Sequence, residues 1–144
     1  MKLLVLGGPN LNFLGIREVG IYGLMTYTDL IHDIQEYALS YGIETLFFQS
    51  NHEGELIDYL QSHYREIDGI IINPGALTHY SYALYDCLKS IPVCAIEVHL
   101  SDIHQREPFR RISVIKDACI AQICGKGLHS YLEAIDRFRK DKQS

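Results

Sequence analysis

The chain has 144 residues, 47% of them apolar and 22% charged, values ordinary for a soluble globular protein large enough to bury a core. Its formal charge of −5 argues against general binding to nucleic acid or an anionic membrane, but not against a small anion held by local arginines. No apolar run approaches the ~20 residues that span a bilayer, and the N-terminus opens on a strand pattern rather than a signal peptide.

The first predicted strand is "KLLVL" (2–6). The loop after it, "GPNLNFLGIREVGIYG" (8–23), far exceeds the about 2–6 residues usual between a strand and a helix, so a functional loop is expected. It lacks both the GxxxxGKS/T of a P-loop and the GxGxxG of a dinucleotide site. Asn10 and Asn12 suit turns as well as ligand contacts, and Arg17 and Tyr22 suit solvent as well as chemistry. Gly15, Gly20 and Gly23 bracket them as hinges bracket a mobile lid.

A helix follows with Leu30, Ile34, Tyr37 and Tyr41 on one face and Gly42 as its stop, then the strand "IETLFF" (43–48). The second helix repeats Leu56, Ile57, Leu60 and Tyr64, and Ser50 with Glu53 has the spacing of a capping box. The strand "GIIIN" (69–73) runs into "NPGALTH", where Asn73 and Pro74-Gly75 suit a strand-end turn and Thr78 is placed to cap the next helix. His79 reads equally as a surface helix residue. The third helix carries Ala83, Leu84, Cys87 and Leu88, and the strand "VCAIEV" (93–98) comes next.

"EVHLSDIHQREPFRR" is the densest polar stretch. Glu97 and His99 fall on one side of a strand, so the carboxylate can orient the imidazole for acid–base work. A metal site from His99, Asp102 and His104 is a weaker alternative, since no tight ligand motif such as HExxH is present. Ser101 and Asp102 suit a turn or helix start, and Arg106, Arg110 and Arg111 suit an exposed basic face as well as an anion site. "CIAQI" (119–123) and a helix through Leu128, Leu132, Ile135 and Phe138 complete the pattern, with 141–144 a frayed tail.

Apolar strands separated by amphipathic helices predict an α/β fold: a flavodoxin-like, doubly wound, five-stranded parallel sheet with helices on both faces, forming a single domain over 1–144. Ligands in such folds bind beyond the carboxyl ends of the strands, where the three polar loops converge. Cys87, Cys94, Cys119 and Cys124 lie in apolar runs without metal-type spacing and read as reduced core thiols of a cytoplasmic protein. No GxSxG nucleophile motif is present, so proton transfer on a polar, polyhydroxylated small molecule is expected in preference to acyl transfer.

Four stretches, "GPNLNFLGIREVGIYG", "FFQSNHEGELID", "INPGALTHYS" and "EVHLSDIHQREPFRRIS", closely resemble type II 3-dehydroquinate dehydratase, in that family's order and spacing, over about residues 2–132. The resemblance implies anti elimination of water from 3-dehydroquinate through an enolate, giving 3-dehydroshikimate in aromatic biosynthesis or quinate catabolism. It implies no metal or organic cofactor and a dodecamer of four trimers. Tyr22 would be the base, and Arg17 on the same loop would lower its pKa. Ionising a phenol of ordinary pKa ~10 at neutral pH asks for about 4 kcal/mol, within reach of a neighbouring guanidinium shielded from water. Arg106 would add to that field.

By the same resemblance Asn10 would hold the water that stabilises the enolate oxygen, and His99, kept in place by Glu97, would protonate the departing hydroxyl. Asn73, His79, Leu100, Ser101 and Arg110 match substrate-binding positions, with the backbone at Leu100–Ser101 taking the carboxylate. Asp86 matches another. Seven residues after His79, it would sit about 10 Å along one helix face, too far for one small substrate, which agrees with the family's borrowing of that aspartate from an adjacent subunit. Val19, Tyr80, Tyr85 and Asp102 depart from the family's usual Pro, Thr, Arg and Asn. Losing the proline is expected to loosen the lid, and Asp102 to add a negative charge beside the carboxylate site.

Two rivals belong to other classes. A flavodoxin-like module for a nucleotide or flavin would use the loops as ligand clamps. A Schiff-base dehydratase needs a lysine at a strand end, and none of the chain's lysines falls in the three loops.

Overall fold

The five apolar runs pair as one parallel sheet of β1 (Lys2–Gly7), β2 (Glu44–Gln49), β3 (Gly69–Asn73), β4 (Ala95–His99) and β5 (Ala121–Cys124), in the order β2-β1-β3-β4-β5. The computed structural model describes residues 1–16 and 18–143, with the side chain of Tyr22 outside that description. Four longer helices, α2 (Tyr27–Leu39), α3 (Glu53–His63), α4 (Tyr82–Ser90) and α5 (Leu128–Gln143), connect or follow the strands, and one short turn of helix, α1 (Val19–Tyr22), lies in the first loop. This is the predicted flavodoxin-like arrangement.

Side-chain alternation divides the core into two layers. Leu3, Val5, Ile71, Ile96 and Val98 face α2 and α5, meeting Leu30, Ile34, Tyr131 and Ile135. Leu4, Leu6, Ile70, Ile72 and Ala95 face α3 and α4, meeting Leu56, Leu60, Leu84 and Leu88. The helices therefore cover both faces, and every residue of β3 and β4 is buried.

Local details differ from the sequence reading. Ser50 and Glu53 do not form a capping box: the Ser50 hydroxyl donates to Glu55, while Glu53 Oε2 accepts from Ser81 Oγ at 2.5 Å. The reciprocal box stands instead at Thr26 and Asp29, opening α2, with both bonds at 3.1 Å. Thr78 does not cap α4. It is fully buried, its carbonyl accepts from Val114 N, and Ser81 caps the helix by accepting from Leu84 N at 3.0 Å. Tyr41 lies past the end of α2 and is exposed, Ala83 is exposed, and Gly20 falls inside α1 rather than at a hinge, whereas Gly15 and Gly23 do take positive φ. Cys87 is a core thiol, but Cys94 is exposed and Cys119 and Cys124 are only half-buried, because Cys94 lies in the bend before β4 and β5 is an edge strand.

The carboxyl ends of β1 and β3 are locked together by their backbones. Gly8 N donates to the Asn73 carbonyl at 2.8 Å, and a Cβ on Gly8 would stand 2.2 Å from the Pro74 carbonyl oxygen. Gly75, at φ +61, approaches Pro9 from the other side. Among the described residues no helix is long and apolar enough to cross a membrane.

This close approach sets a test. Gly8→Ala is expected to destabilise the protein by about 1–3 kcal/mol, because the loops must separate to admit a methyl group. Denaturant unfolding measures it, and an unchanged midpoint would show that the loops part freely.

Candidate active site

The chain winds outward from β1 to β2 and then crosses back to β3, which makes the β1–β3 boundary the point where ligand sites form in such sheets. There, register pairs Gly7 with Asn73, and the loops after β1, β3 and β4 surround a cavity of about 110 Å³. Asn10, Asn73, His79, His99, Leu100, Ser101 and Arg110 all line it. Arg106 lines it as well, and Leu11, Leu14 and Ile103 add an apolar wall. No lysine is among the lining residues, which leaves the Schiff-base rival without an amine.

Glu97 sits in the middle of β4 and is completely buried; His99, two residues on, is 5% exposed. His99 Nε2 lies 3.2 Å from Glu97 Oε1, in close contact but off the line of a hydrogen bond. Oε1 also accepts from Ser113 Oγ at 2.6 Å, and Oε2 from Gln122 Nε2 at 2.6 Å. Burial by itself pushes the Glu97 carboxyl up, but His99, Ser113 and Gln122 together outweigh it and hold the group below its ordinary value. With Nε2 turned toward Glu97, Nδ1 is the His99 nitrogen left for the pocket.

Ser113 and Gln122 were not singled out from sequence. A signal for Gln122 was present: it is the one polar residue of "CIAQI", and register places it opposite Glu97.

The other polar groups are held by short-range geometry. Asn10 takes φ 71, one of two positive-φ non-glycine residues among those described, the other being Glu18. Its backbone N–H donates to Asn51 Oδ1 at 2.9 Å, and Gln49 Nε2 donates to the same oxygen at 3.2 Å. Asn73 Oδ1 accepts from Gly75 N at 3.2 Å, while its Nδ2 donates to the Tyr131 hydroxyl at 3.1 Å. Burial pushes the Tyr131 phenol well above its ordinary value, so it stays neutral. His79 Nδ1 lies 2.7 Å from the Ile112 carbonyl, an acceptor, which leaves Nε2 with its lone pair free for a ligand hydroxyl. Burial lowers the His79 pKa despite that carbonyl, and this favours the neutral ring.

Two guanidinium groups supply positive charge. Arg110 packs over the Phe109 ring, 4.7 Å from its centroid, with Nε 2.9 Å from Glu107 Oε2. Arg106 is nearly buried, with Nη2 3.6 Å from Glu18 Oε2 and Nε 3.9 Å from Glu107 Oε2. An apolar-walled cavity carrying two arginines, two amides and two imidazoles fits a small, hydroxylated carboxylate.

Some expectations fall elsewhere. Arg17 and the Tyr22 side chain lie outside the described residues. Asp86 is exposed on α4 and does not line the cavity, and it shares no helix with His79, which ends a separate 3-10 turn (Gly75–His79) before Tyr80 breaks the direction. Among the described residues no three His, Cys, Asp or Glu side chains are grouped to hold a metal ion, so His99, Asp102 and His104 do not form one. Asp102 instead accepts from His104 N at 3.0 Å, closing a turn, and does not line the cavity.

The chain matches the family described as dehydroquinase class II over residues 1–139. It is 56% identical over 135 residues to the 3-dehydroquinate dehydratase of Clostridium acetobutylicum, covering 94% of each chain, and 52% identical over 140 residues to that of Thermotoga neapolitana, covering 97% of this chain and 95% of that one. The crystal structure of a type II dehydroquinase from Butyrivibrio crossotus superposes with a TM-score of 0.94 at 53% identity, over 96% of this chain and 97% of that one. These matches do not favour a nucleotide- or flavin-binding module.

The buried carboxylate sets an acid-stability expectation. Its folded pKa lies below the ordinary 4.5, so its contribution is present above that value and is lost as pH falls through the lowered one. Glu97→Gln is expected to cost about 1–3 kcal/mol at pH 7, because an amide nitrogen must face the Ser113 or Gln122 donor. The deficit should narrow in acid. Denaturant midpoints near pH 7 and pH 3 measure both, and an equal deficit at the two pH values would contradict the assignment.

Proposed function

Because this chain belongs to the class II dehydroquinase family, we propose that it dehydrates 3-dehydroquinate to 3-dehydroshikimate by anti elimination through an enolate. The observation that carries this reading to the level of residues is the buried Glu97–His99 pair, set in the wall of a small cavity with Asn10, Asn73, His79 and Arg110. The reaction belongs to aromatic amino acid biosynthesis through shikimate, or to quinate breakdown.

In the proposed sequence Tyr22, ionised under the influence of Arg17, removes the proton alpha to the ketone, and Arg106 adds to the field. The electron pair moves onto the carbonyl oxygen, where a water held by Asn10 stabilises it. The enolate then expels the hydroxyl beta to the ketone, which leaves as water with a proton from His99. Glu97 keeps that imidazole oriented in the pocket wall. The Leu100–Ser101 backbone takes the substrate carboxylate, and Asn73, His79 and Arg110 read ring oxygens. The reading assigns no step to a metal or organic cofactor. The whole chain acts as one catalytic domain.

We place the site within a dodecamer of four trimers, with Asp86 reaching the pocket of a neighbouring subunit. Two features support this. Asp86 does not line the cavity of its own chain. Beside it, Tyr80, Tyr82, Phe109 and Ile112 are each about 60% exposed or more, an apolar surface fit for burial against another copy. The enzyme is placed in the cytoplasm, where an exposed free thiol such as Cys94 stays reduced.

Formation of the conjugated enone, followed by ultraviolet absorbance, tests the function directly. Turnover is expected to survive both a chelator and borohydride pretreatment with substrate; loss in either would overturn the metal-free, imine-free route. Tyr22→Phe is expected to lower kcat about 10³-fold with the fold intact, and a near-normal kcat would remove Tyr22 as the base. Asp86→Ala is expected to raise KM, and mixing Asp86→Ala with Tyr22→Phe subunits to restore part of the activity. No recovery in mixed oligomers would refute the shared site.

A further inference from the structure

The contacts around Glu97 do not end at its carboxylate. Gln122 Nε2 donates to Glu97 Oε2 at 2.6 Å, and on the outer side Gln122 Oε1 lies 3.3 Å from His104 Nε2. The parts come from different elements: the β4–β5 register sets Gln122 opposite Glu97, while His104 stands on the turn Ile103–Gln105 that Asp102 caps. One line of contacts therefore runs from an exposed imidazole, through a half-buried amide and a fully buried carboxylate, to the imidazole in the pocket wall.

A primary amide can turn over and exchange its donor and acceptor ends. Only one orientation suits this place. A carboxylate on the inner side requires the NH2 group, which turns the carbonyl outward, where it accepts from His104 Nε2 in the tautomer that carries hydrogen on that nitrogen. The other groups near Glu97 do not compete for the role. Ser113 occupies the opposite oxygen, and His79 faces Glu97 only across the pocket. Burial and the Glu97 charge push the Cys119 thiol up to about 12 and the Cys124 thiol up to about 11, so both stay neutral.

We propose that Gln122 is a positioning residue for the dehydration, locked in its donating orientation by His104, and that it acts on the substrate solely through Glu97 and His99. The proposal rests on the reading of His99 as the proton donor. It predicts that an exposed side chain outside the pocket influences the chemical step without touching the substrate.

Steady-state kinetics across pH on Gln122→Met, His104→Ala and the double variant test it. Gln122→Met keeps the length of the side chain but has no donor. It is expected to lower kcat about tenfold, the size of losing one hydrogen bond to a charge, with KM changed less than about twofold. The acid limb of its pH–rate profile should move to higher pH, since the carboxylate protonates more readily without that donor. His104→Ala is expected to lower kcat about threefold alone and to have no further effect in the Gln122→Met background, because coupled residues are not additive. Unchanged kcat and acid limb in folded Gln122→Met, or additive losses in the double variant, would overturn the proposal. Should Gln122→Met fail to fold, exposed His104→Ala decides: a wild-type kcat and profile overturn it as well. His99→Ala separates the two readings. An active His99→Ala refutes His99 as the donor, whereas an inactive one beside an indifferent Gln122→Met refutes only the role of Gln122.

Discussion

A carboxylate with no exposed surface in the central region of a parallel sheet is the demand around which this site is arranged. Burying an unpaired charge costs several kcal/mol, so Glu97 is tolerable only because both its oxygens are taken. That need reaches outward. Ser113 must stand at the turn after the arginine-bearing segment, where its oxygen also accepts from Ile115 N and Lys116 N. Gln122 must interrupt an otherwise apolar edge strand. The return on this arrangement is directional: a fixed negative charge 3.2 Å from one nitrogen of His99 holds the ring in the pocket wall.

The remaining site depends on backbone proximity more than on side-chain contacts. Where β1 and β3 end, Gly8 passes so close to Pro74 that no side chain fits, and this brings Asn10 and Asn73 to the same cavity. Asn10 is held in a left-handed conformation that costs on the order of 1 kcal/mol or more, offset by the Asn51 carbonyl that takes its N–H. Glu18, the second such residue, opens α1 directly before Val19. Val19 occupies the first position of that helix, where proline would be pre-set in φ, so this chain begins its loop helix with more conformational freedom to lose.

The apolar residues beside the pocket would link the single chain to the proposed assembly. Tyr80, Tyr82, Phe109 and Ile112 stand on the segments that also hold His79 and Arg110, so a partner covering them would press on the site itself. His79 is fixed by the Ile112 carbonyl and flanked edge-on by Phe109. In the proposed assembly, subunit packing and the orientation of a pocket imidazole would share the same few residues. Asp102 shows the converse: its carboxylate is taken up in a local cap and does not line the cavity.

The strand and helix order, the two-sided sheet and the location of the pocket were legible in the sequence because they follow from hydrophobic periodicity, a local property of the chain. So was the Glu97–His99 pairing, since strand alternation puts residues two apart on one side. The failures were those of contact between distant segments. Ser50 and Glu53 have the spacing of a capping box, yet Ser81 captures Glu53 because α3 and α4 pack side by side, and Ser50 then donates to Glu55 on the same helix. Spacing likewise placed Asp86 and His79 on one helix, but a turn at Tyr80 separates them. Ser113 and Gln122 acquire meaning only once β4 and β5 are in register. The sequence by itself determined which elements form and which faces they bury, because those choices are made within a few residues. Only the tertiary structure decided which polar groups meet, because a buried charge is satisfied by whatever the fold brings within about 3 Å of it.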